Sequence, residues 1–93
     1  MYVIKGSKFL NTEAFEKIIR TDNRILFNPI KYSQIPQKCV SKSECLHFIS
    51  EMNALNAMEA ITETLKEGKS ILYIREAGEC GIYYWTKKQN EQL

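Results

Sequence analysis

The stretch between Ser41 and Gly68 contains no internal proline or glycine, which predicts one long helix. Ser41 is suited to cap the helix N-terminus, and Glu44, three residues later, completes a capping box. Gly68 is suited to the left-handed conformation that ends many helices. A helix over residues 42–67 would be about 40 Å long, at 1.5 Å per residue. It would span the domain, cover a partner, or break near Asn53, which could cap a second helix.

Apolar residues recur at intervals of three and four along this stretch, which predicts the seam that packs on a sheet. The seam comprises Phe48, Met52, Leu55, Met58, Ile61 and Leu65. Three alanines lie beside it and would allow the close approach of another backbone: Ala54, Ala57 and Ala60. We therefore expect the helix to support a homodimer. The alternative is a helix covered by the sheet on one side and by a first helix on the other.

The rest of the chain predicts shorter elements. Residues 2–4 and 24–27 are typical of strands, and residues 70–76 and 80–86 are typical of a hairpin around Gly78. Between the first two strands, Asn11 is expected to cap a helix that buries Phe15, Ile18 and Ile19. Pro36 excludes a central strand over residues 30–40, so that segment is expected to be an edge strand or an ordered loop.

The predicted fold is α+β, with the order β-α-β-(β)-α-β-β. Two helices pack on one face of a small, mostly antiparallel sheet. Residues 1–88 form a single domain, and residues 89–93 form a loose C-terminal tail. A strand at residues 37–40 would bring the order close to the split β-α-β arrangement of ferredoxin-like domains. Because that arrangement hosts many unrelated functions, it indicates none in particular.

The charge of the chain is modest in total but uneven in distribution. The net charge is +2, too small to indicate nucleic-acid binding by itself. Residues 1–40 are basic, whereas residues 41–68 carry two Lys/Arg against five Asp/Glu. No apolar run is long enough for a membrane helix. The three cysteines suit a reducing compartment better than a disulfide framework. These features predict a cytoplasmic protein without a membrane partner.

No motif predicts catalysis, a metal site or a cofactor. Cys39, Cys45, Cys80 and the single histidine, His47, have the composition of a zinc site. They lack the C-x-x-C spacing, however, and on a helix Cys45 and His47 would point apart. We therefore predict a protein that is not an enzyme and holds no metal. The catalytic alternative is a toxin-like ribonuclease that uses basic and phenolic side chains. The residues that could supply them are Lys5, Arg24, Arg75 and Tyr84, but their spacing in the sequence does not support this alternative.

The C-terminal hairpin is the strongest candidate for a binding surface. Alternate residues of a strand share a face, so Tyr73 lies with Arg75, and Tyr83 lies with Trp85. Tyr, Trp and Arg dominate the energetics of protein interfaces. The candidate partner-binding residues are Tyr73, Arg75, Tyr83, Trp85 and Lys87, together with Glu59 and Glu63 on the acidic helix. The alternative is that the segment 30–40 shields the aromatic face.

We therefore expect a small regulator or inhibitor that binds a protein partner. Its Asn-, Lys- and Ile-rich composition resembles that of small accessory proteins of phages and mobile elements. The main alternative is an RNA- or single-stranded nucleic-acid-binding domain, in which aromatic rings stack on bases. Its contacts would be Tyr73, Arg75, Tyr84, Lys87 and Lys88.

Overall fold

The computed structural model describes residues 1–29 and 42–88, and every structural statement below concerns these ranges. They contain seven strands and one α-helix, so the α+β class is confirmed. In chain order the elements are β1 (Tyr2–Lys5), β2 (Lys8–Asn11), β3 (Phe15–Thr21), β4 (Arg24–Pro29), β5 (Glu44–His47), α1 (Glu51–Lys66), β6 (Ile71–Glu76) and β7 (Ile82–Lys87).

The strands form two sheets rather than the single sheet that the sequence predicts. The four-stranded sheet has the order β2-β1-β6-β7, and the three-stranded sheet has the order β3-β4-β5. In the four-stranded sheet β1 and β6 run parallel, with Val3 opposite Leu72, while the outer pairs are antiparallel. Gly6, at a φ of +58°, makes the tight turn between β1 and β2.

Both sheets and α1 contribute side chains to one hydrophobic core. The residues of the core are Met1, Val3, Leu10, Ile25, Phe27, Leu46, Phe48, Ala54, Ala57, Ala60, Ile61, Leu72 and Ile74. Each sheet therefore has one face towards the core and one face away from it.

The helix ends where the sequence predicts but begins later. Gly68, at a φ of +70°, follows the last turn, and its N–H bonds to the Leu65 carbonyl while the Lys69 N–H bonds to the Thr64 carbonyl. These are the two bonds of a Schellman motif. At the other end, Ser50 caps α1 by accepting the Asn53 N–H at 3.1 Å.

The predicted capping box at Ser41 and Glu44 is wrong, because Glu44 begins strand β5. Ser41 itself lies outside the described residues. Leu46 and Phe48 are buried whereas His47 is exposed, which is the period of a strand. The same apolar residues fit a helical spacing when they are read together with Met52, and this overlap explains the error.

The predicted first helix is also wrong, since Phe15–Thr21 forms strand β3. Asn11 does cap a turn, accepting the Glu13 N–H at 3.1 Å, but that turn is a 3₁₀ helix of three residues. Antiparallel pairing with β4 decides the conformation, and β-branched Ile18 and Ile19 suit it. The predicted strand at residues 37–40 and the predicted tail at residues 89–93 lie outside the described residues.

The face of α1 towards the core differs from the predicted one. Met52, Leu55 and Leu65 are 56%, 42% and 45% exposed. Of the predicted seam within α1, Ile61 alone is fully buried. The three alanines are buried instead, because their small side chains allow the helix to lie close to the sheets. They are therefore not available to pack against a second copy, and the predicted helix-mediated homodimer is wrong in this detail.

Candidate functional site

One face of the four-stranded sheet carries a set of aromatic side chains that no other element in residues 1–29 and 42–88 covers, and the predicted shield at residues 30–40 lies outside these ranges. The register places ten residues on this face, which we call the open face: Tyr2, Ile4, Phe9, Asn11, Ile71, Tyr73, Arg75, Tyr83, Trp85 and Lys87. They alternate along each strand with core residues such as Val3, Leu10, Leu72 and Ile74. Half of the aromatic residues of the chain lie on this one face.

The aromatic rings on the open face are in contact across neighbouring strands. Tyr73 lies opposite Trp85, and their rings stack with centroids 5.2 Å apart and planes 14° from parallel. At the other side of the sheet the Tyr2 and Phe9 rings lie 4.8 Å apart at 42°. Ile4 separates the two pairs, since it lies opposite both Phe9 and Tyr73. The open face therefore presents apolar side chains on all four strands.

The exposure of these rings is high for side chains of their size. Tyr83 is 65% exposed, Phe9 61%, Trp85 50% and Tyr2 40%. A continuous apolar patch on a folded protein commonly marks an interaction site. Ring contacts between neighbouring strands restrict these side chains, so less conformational entropy is lost when a partner covers them.

The charges on the open face are of one sign. Arg75 and Lys87 are its ionisable cations, and the ten residues include no Asp or Glu. The Lys87 ammonium group lies 5.7 Å from the centroid of the Tyr73 ring, within the range of a cation–π contact. Arg75 is exposed and forms no hydrogen bond or ion pair with any other described residue.

The structure brings together five of the predicted partner-binding residues. Tyr73, Arg75, Tyr83, Trp85 and Lys87 all lie on the open face. The other two, Glu59 and Glu63, lie on the exposed side of α1, beside a shallow groove that Leu55 and Met58 also line. They belong to a separate surface. Tyr84 points to the opposite side of β7, because it alternates with Tyr83 and Trp85.

The sequence analysis missed Tyr2 and Phe9 as members of the open face. Tyr2 and Ile4 share a face by alternation, but nothing in the sequence shows that β1 pairs with β6. Lys8–Asn11 was not predicted as a strand, so Phe9 had no assigned partner. The signal that could have found them is Gly6-Ser7 between two short apolar runs, which is typical of a two-residue hairpin.

A polar cluster joins the end of the four-stranded sheet to the start of α1. The carboxylate of Glu76 accepts the Ile49 N–H at 2.6 Å and the Asn53 side-chain N–H at 2.8 Å. Its other oxygen lies 3.0 Å from the Lys5 ammonium nitrogen. Burial raises the pKa of Glu76, but the hydrogen bonds from Asn53, Ile49 and Lys5 outweigh it and lower the pKa below its ordinary value. The bonds from Ile49 and Asn53 fix the start of the helix to the sheet, whereas the Lys5 contact joins β1 to β6 within the sheet.

The residues considered for metal binding do not cluster. Cys45 and His47 both lie on β5, two positions apart, so they share a strand face and do not point apart as a helix would require. Cys80 lies in a 3₁₀ turn, Gly78–Cys80. Within residues 1–29 and 42–88, no group of three or more His, Cys, Asp or Glu side chains is placed to hold a metal ion. Cys39 is outside these ranges.

The candidate ribonuclease residues are dispersed over different surfaces. Arg24 is in the three-stranded sheet, and Lys5 is paired with Glu76. Arg75 lies on the open face, whereas Tyr84 lies on the other side of β7. General acid–base catalysis requires such groups within hydrogen-bonding reach of one substrate, and these four residues do not all lie on one surface.

No family model, curated protein or solved structure matches this chain. The helix of the described part is too short and too polar to cross a membrane.

Proposed function

We propose that this chain is a small non-catalytic interaction protein of the cytoplasm, a regulator or inhibitor that binds a protein partner through the open face. The observation that carries the proposal is the arrangement of five aromatic rings on one sheet face, four of them at least 40% exposed. Trp85, Tyr83 and Arg75 are of the residue types that dominate protein–protein binding energies. The remainder of the face, with Ile4 and Ile71, supplies apolar area around them.

The charge on the open face favours a protein over a nucleic acid. The affinity for a nucleic acid rises with the number of phosphates that Lys and Arg neutralise. The face offers only Arg75 and Lys87, and Lys87 already lies over the Tyr73 ring. Tyr73 and Trp85 also stack on each other, so one surface of each ring is not available to a base. The best complement is a protein surface with apolar side chains and a carboxylate opposite Arg75.

The test is a comparison of variants in pull-downs from a lysate of the native host, followed by titration of the recovered protein. We expect Trp85→Ala to weaken binding by about 2 kcal/mol or more, as loss of a central aromatic contact does. The double variant Glu59→Ala/Glu63→Ala is the matched control on the other candidate surface and should bind as the wild type does. Weaker binding by the double variant, together with unchanged binding by Trp85→Ala, would show that the partner binds α1 instead.

Two further measurements separate binding from folding and protein from nucleic acid. Trp85 is 50% exposed, so Trp85→Ala should lower the thermal midpoint far less than the loss of a core residue would. The emission of Trp85, the single tryptophan, should be red-shifted and accessible to quenchers. Titration with poly(U) and oligo(dT) should show little binding at physiological salt. Tight, steeply salt-dependent binding that Trp85→Ala abolishes would assign the open face to nucleic acid instead.

A further inference from the structure

Four strands lie at sheet edges in the described ranges, and β7 differs from the other three. β2 and β5 are four residues long, and β3 carries Glu16, Lys17 and Arg20 as well as a bulge near its start. Short length, charge and bulges are the devices by which proteins block pairing at an edge. β7 has six residues and carries no proline, no bulge and no charge before Lys87. It therefore lacks these protections.

The three central side chains of β7 are exposed, on both faces of the sheet, while Ile82 packs partly against the core. Tyr83 and Trp85 are exposed on the open face, and Tyr84, on the side of the core, is 53% exposed. In the described ranges β7 pairs with β6 alone. A strand could approach this edge without displacing either sheet or α1.

The hydrogen bonds at the two ends of β7 show which of its main-chain N–H and C=O groups point away from β6. The carbonyls of Gly81 and Lys87 accept bonds from Ala77 and Ser70, on the side of β6. Because bonding alternates along an antiparallel ladder, Tyr83 and Trp85 also bond towards β6. The N–H and C=O groups of Ile82, Tyr84 and Thr86 then point away from the sheet, at the spacing that an added strand requires.

We propose that two copies of this chain pair through β7, antiparallel and about a two-fold axis near Tyr84, to form one continuous sheet from their two four-stranded sheets. The open faces of the two copies must lie on the same side of the joined sheet. Each β7 residue therefore lies opposite itself, or opposite a residue an even number of positions away, in the second copy. With the two-fold axis at Tyr84, Trp85 lies opposite Tyr83 of the second copy, and with the axis at Trp85 it lies opposite Trp85. Both are favourable cross-strand aromatic pairs.

The self-complementary aromatic face of β7, with no like charges opposed, favours a second copy as the occupant of this edge. In the same registers Lys87 meets Gly81 or Tyr83 of the second copy, so like charges do not meet. The second copy thereby contributes its Tyr83 and Trp85 to one enlarged open face. The pairing depends on the edge of β7 alone and does not depend on what binds the open face.

Sedimentation equilibrium of the wild type from low to high micromolar concentration is the first test. We expect a concentration-dependent mass that reaches two chains and goes no higher, because two-fold pairing uses up the β7 edge. A mass of one chain throughout the range would overturn the proposal, and so would tetramers or larger species. This measurement is decisive even where a variant of β7 fails to fold.

Charge variants at position 84 are the second test. Tyr84→Lys and Tyr84→Glu should each raise the dimer Kd about tenfold or more, since each places two like charges at the axis. An equimolar mixture of the two variants should restore dimers. Ile19→Lys is the matched control, because Ile19 is 43% exposed on edge strand β3 of the other sheet, and it should dimerise as the wild type does.

Two outcomes of the second test contradict the pairing. A folded Tyr84→Lys variant that dimerises as tightly as the wild type would move the interface away from β7. A mixture that does not restore dimers would place position 84 away from the two-fold axis.

Discussion

At the scale of single residues, Glu76 carries more of the structure than its place in a strand suggests. Its carboxylate receives donors from three elements, namely Lys5 of β1, the Ile49 N–H before α1 and the Asn53 side chain within α1. Asn53 is fully buried and also donates to the Gly78 carbonyl at 2.7 Å. Removing the charge of Glu76 would leave the buried Asn53 amide with a weaker acceptor, which is costly.

We expect Glu76→Gln to lower the free energy of unfolding at neutral pH by about 1–3 kcal/mol. Because the pKa of Glu76 is lowered on folding from its ordinary value of 4.5, its contribution is complete above that value. The contribution is lost as the pH falls through the lower folded pKa. The wild type should therefore approach the variant in stability at acid pH.

Urea unfolding at a series of pH values measures this difference. Glu59→Gln is the control, since Glu59 is exposed on α1 and its replacement should leave the stability nearly unchanged at every pH. A constant difference between wild type and Glu76→Gln from neutral to acid pH would show that the charge of Glu76 is not the stabilising feature.

At the scale of elements, the caps of α1 show which sequence signals carry information. Gly68 predicts the end of the helix correctly, because a positive φ after a helical turn has few alternatives to glycine. Ser50 is the true N-cap, but Ser41 offers the same side chain with a better-placed glutamate. A cap motif is local, whereas the conformation of residues 44–47 depends on pairing with β4, which is distant in the sequence.

Ser50→Ala should destabilise the protein by about 1 kcal/mol, because the Asn53 N–H loses the oxygen that caps it. Thermal unfolding followed by circular dichroism measures the effect. Ser43→Ala is the control, since Ser43 is exposed just before β5 and caps no helix in the described part of the chain. Equal melting temperatures for Ser50→Ala and the wild type would contradict the assigned helix start.

The register of α1 gives a second prediction for this element. Ala57 is fully buried, so Ala57→Leu should cost about 1–3 kcal/mol through overpacking between helix and sheets. Leu55 is 42% exposed, and Leu55→Ala should change the stability by no more than about 0.5 kcal/mol. Chemical unfolding of both variants compares the two faces of the helix. A larger loss of stability for Leu55→Ala than for Ala57→Leu would show that α1 packs through the face that the sequence predicts.

The hairpin β6–β7 is the part of the candidate site that the sequence predicts well. Its two strands are adjacent in the chain, and Gly78 marks the turn between them. Alternation then places Tyr73, Tyr83 and Trp85 correctly. Tyr2 and Phe9 lie on the local hairpin β1–β2, but their place beside Tyr73 depends on parallel pairing of β1 with β6, which come from distant parts of the sequence. Local pairing is readable from one sequence, and distant pairing is not.

At the scale of the whole molecule, the two sheets share a single core. Ile25, Phe27 and Leu46 of the three-stranded sheet belong to the same buried cluster as Val3 and Leu72 of the four-stranded sheet, which α1 completes. Neither sheet has a core of its own among the described residues. The protein should therefore unfold as one cooperative unit.

This cooperativity can be measured by changing one sheet and observing the other. Ile25→Ala, in the three-stranded sheet, should cost about 2–5 kcal/mol, since Ile25 is fully buried. The unfolding midpoint reported by Trp85 fluorescence, in the other sheet, should fall together with the midpoint from circular dichroism. Ile19→Ala, on the exposed side of β3, should leave both midpoints in place. If Ile25→Ala left the midpoint reported by Trp85 fluorescence unchanged, the two sheets would be independently folding units.

The parallel pairing of β1 with β6 also has a consequence for the order in which the chain acquires its structure. Tyr2 lies opposite Ile71, so the central pair of the four-stranded sheet joins strands from nearly opposite ends of the described chain. Loop closure over such a separation slows folding. During synthesis, β3 and β4 can meet soon after they leave the ribosome, whereas β1 has no parallel neighbour until β6 has been made. The open face is therefore among the last surfaces to exist in a newly made molecule.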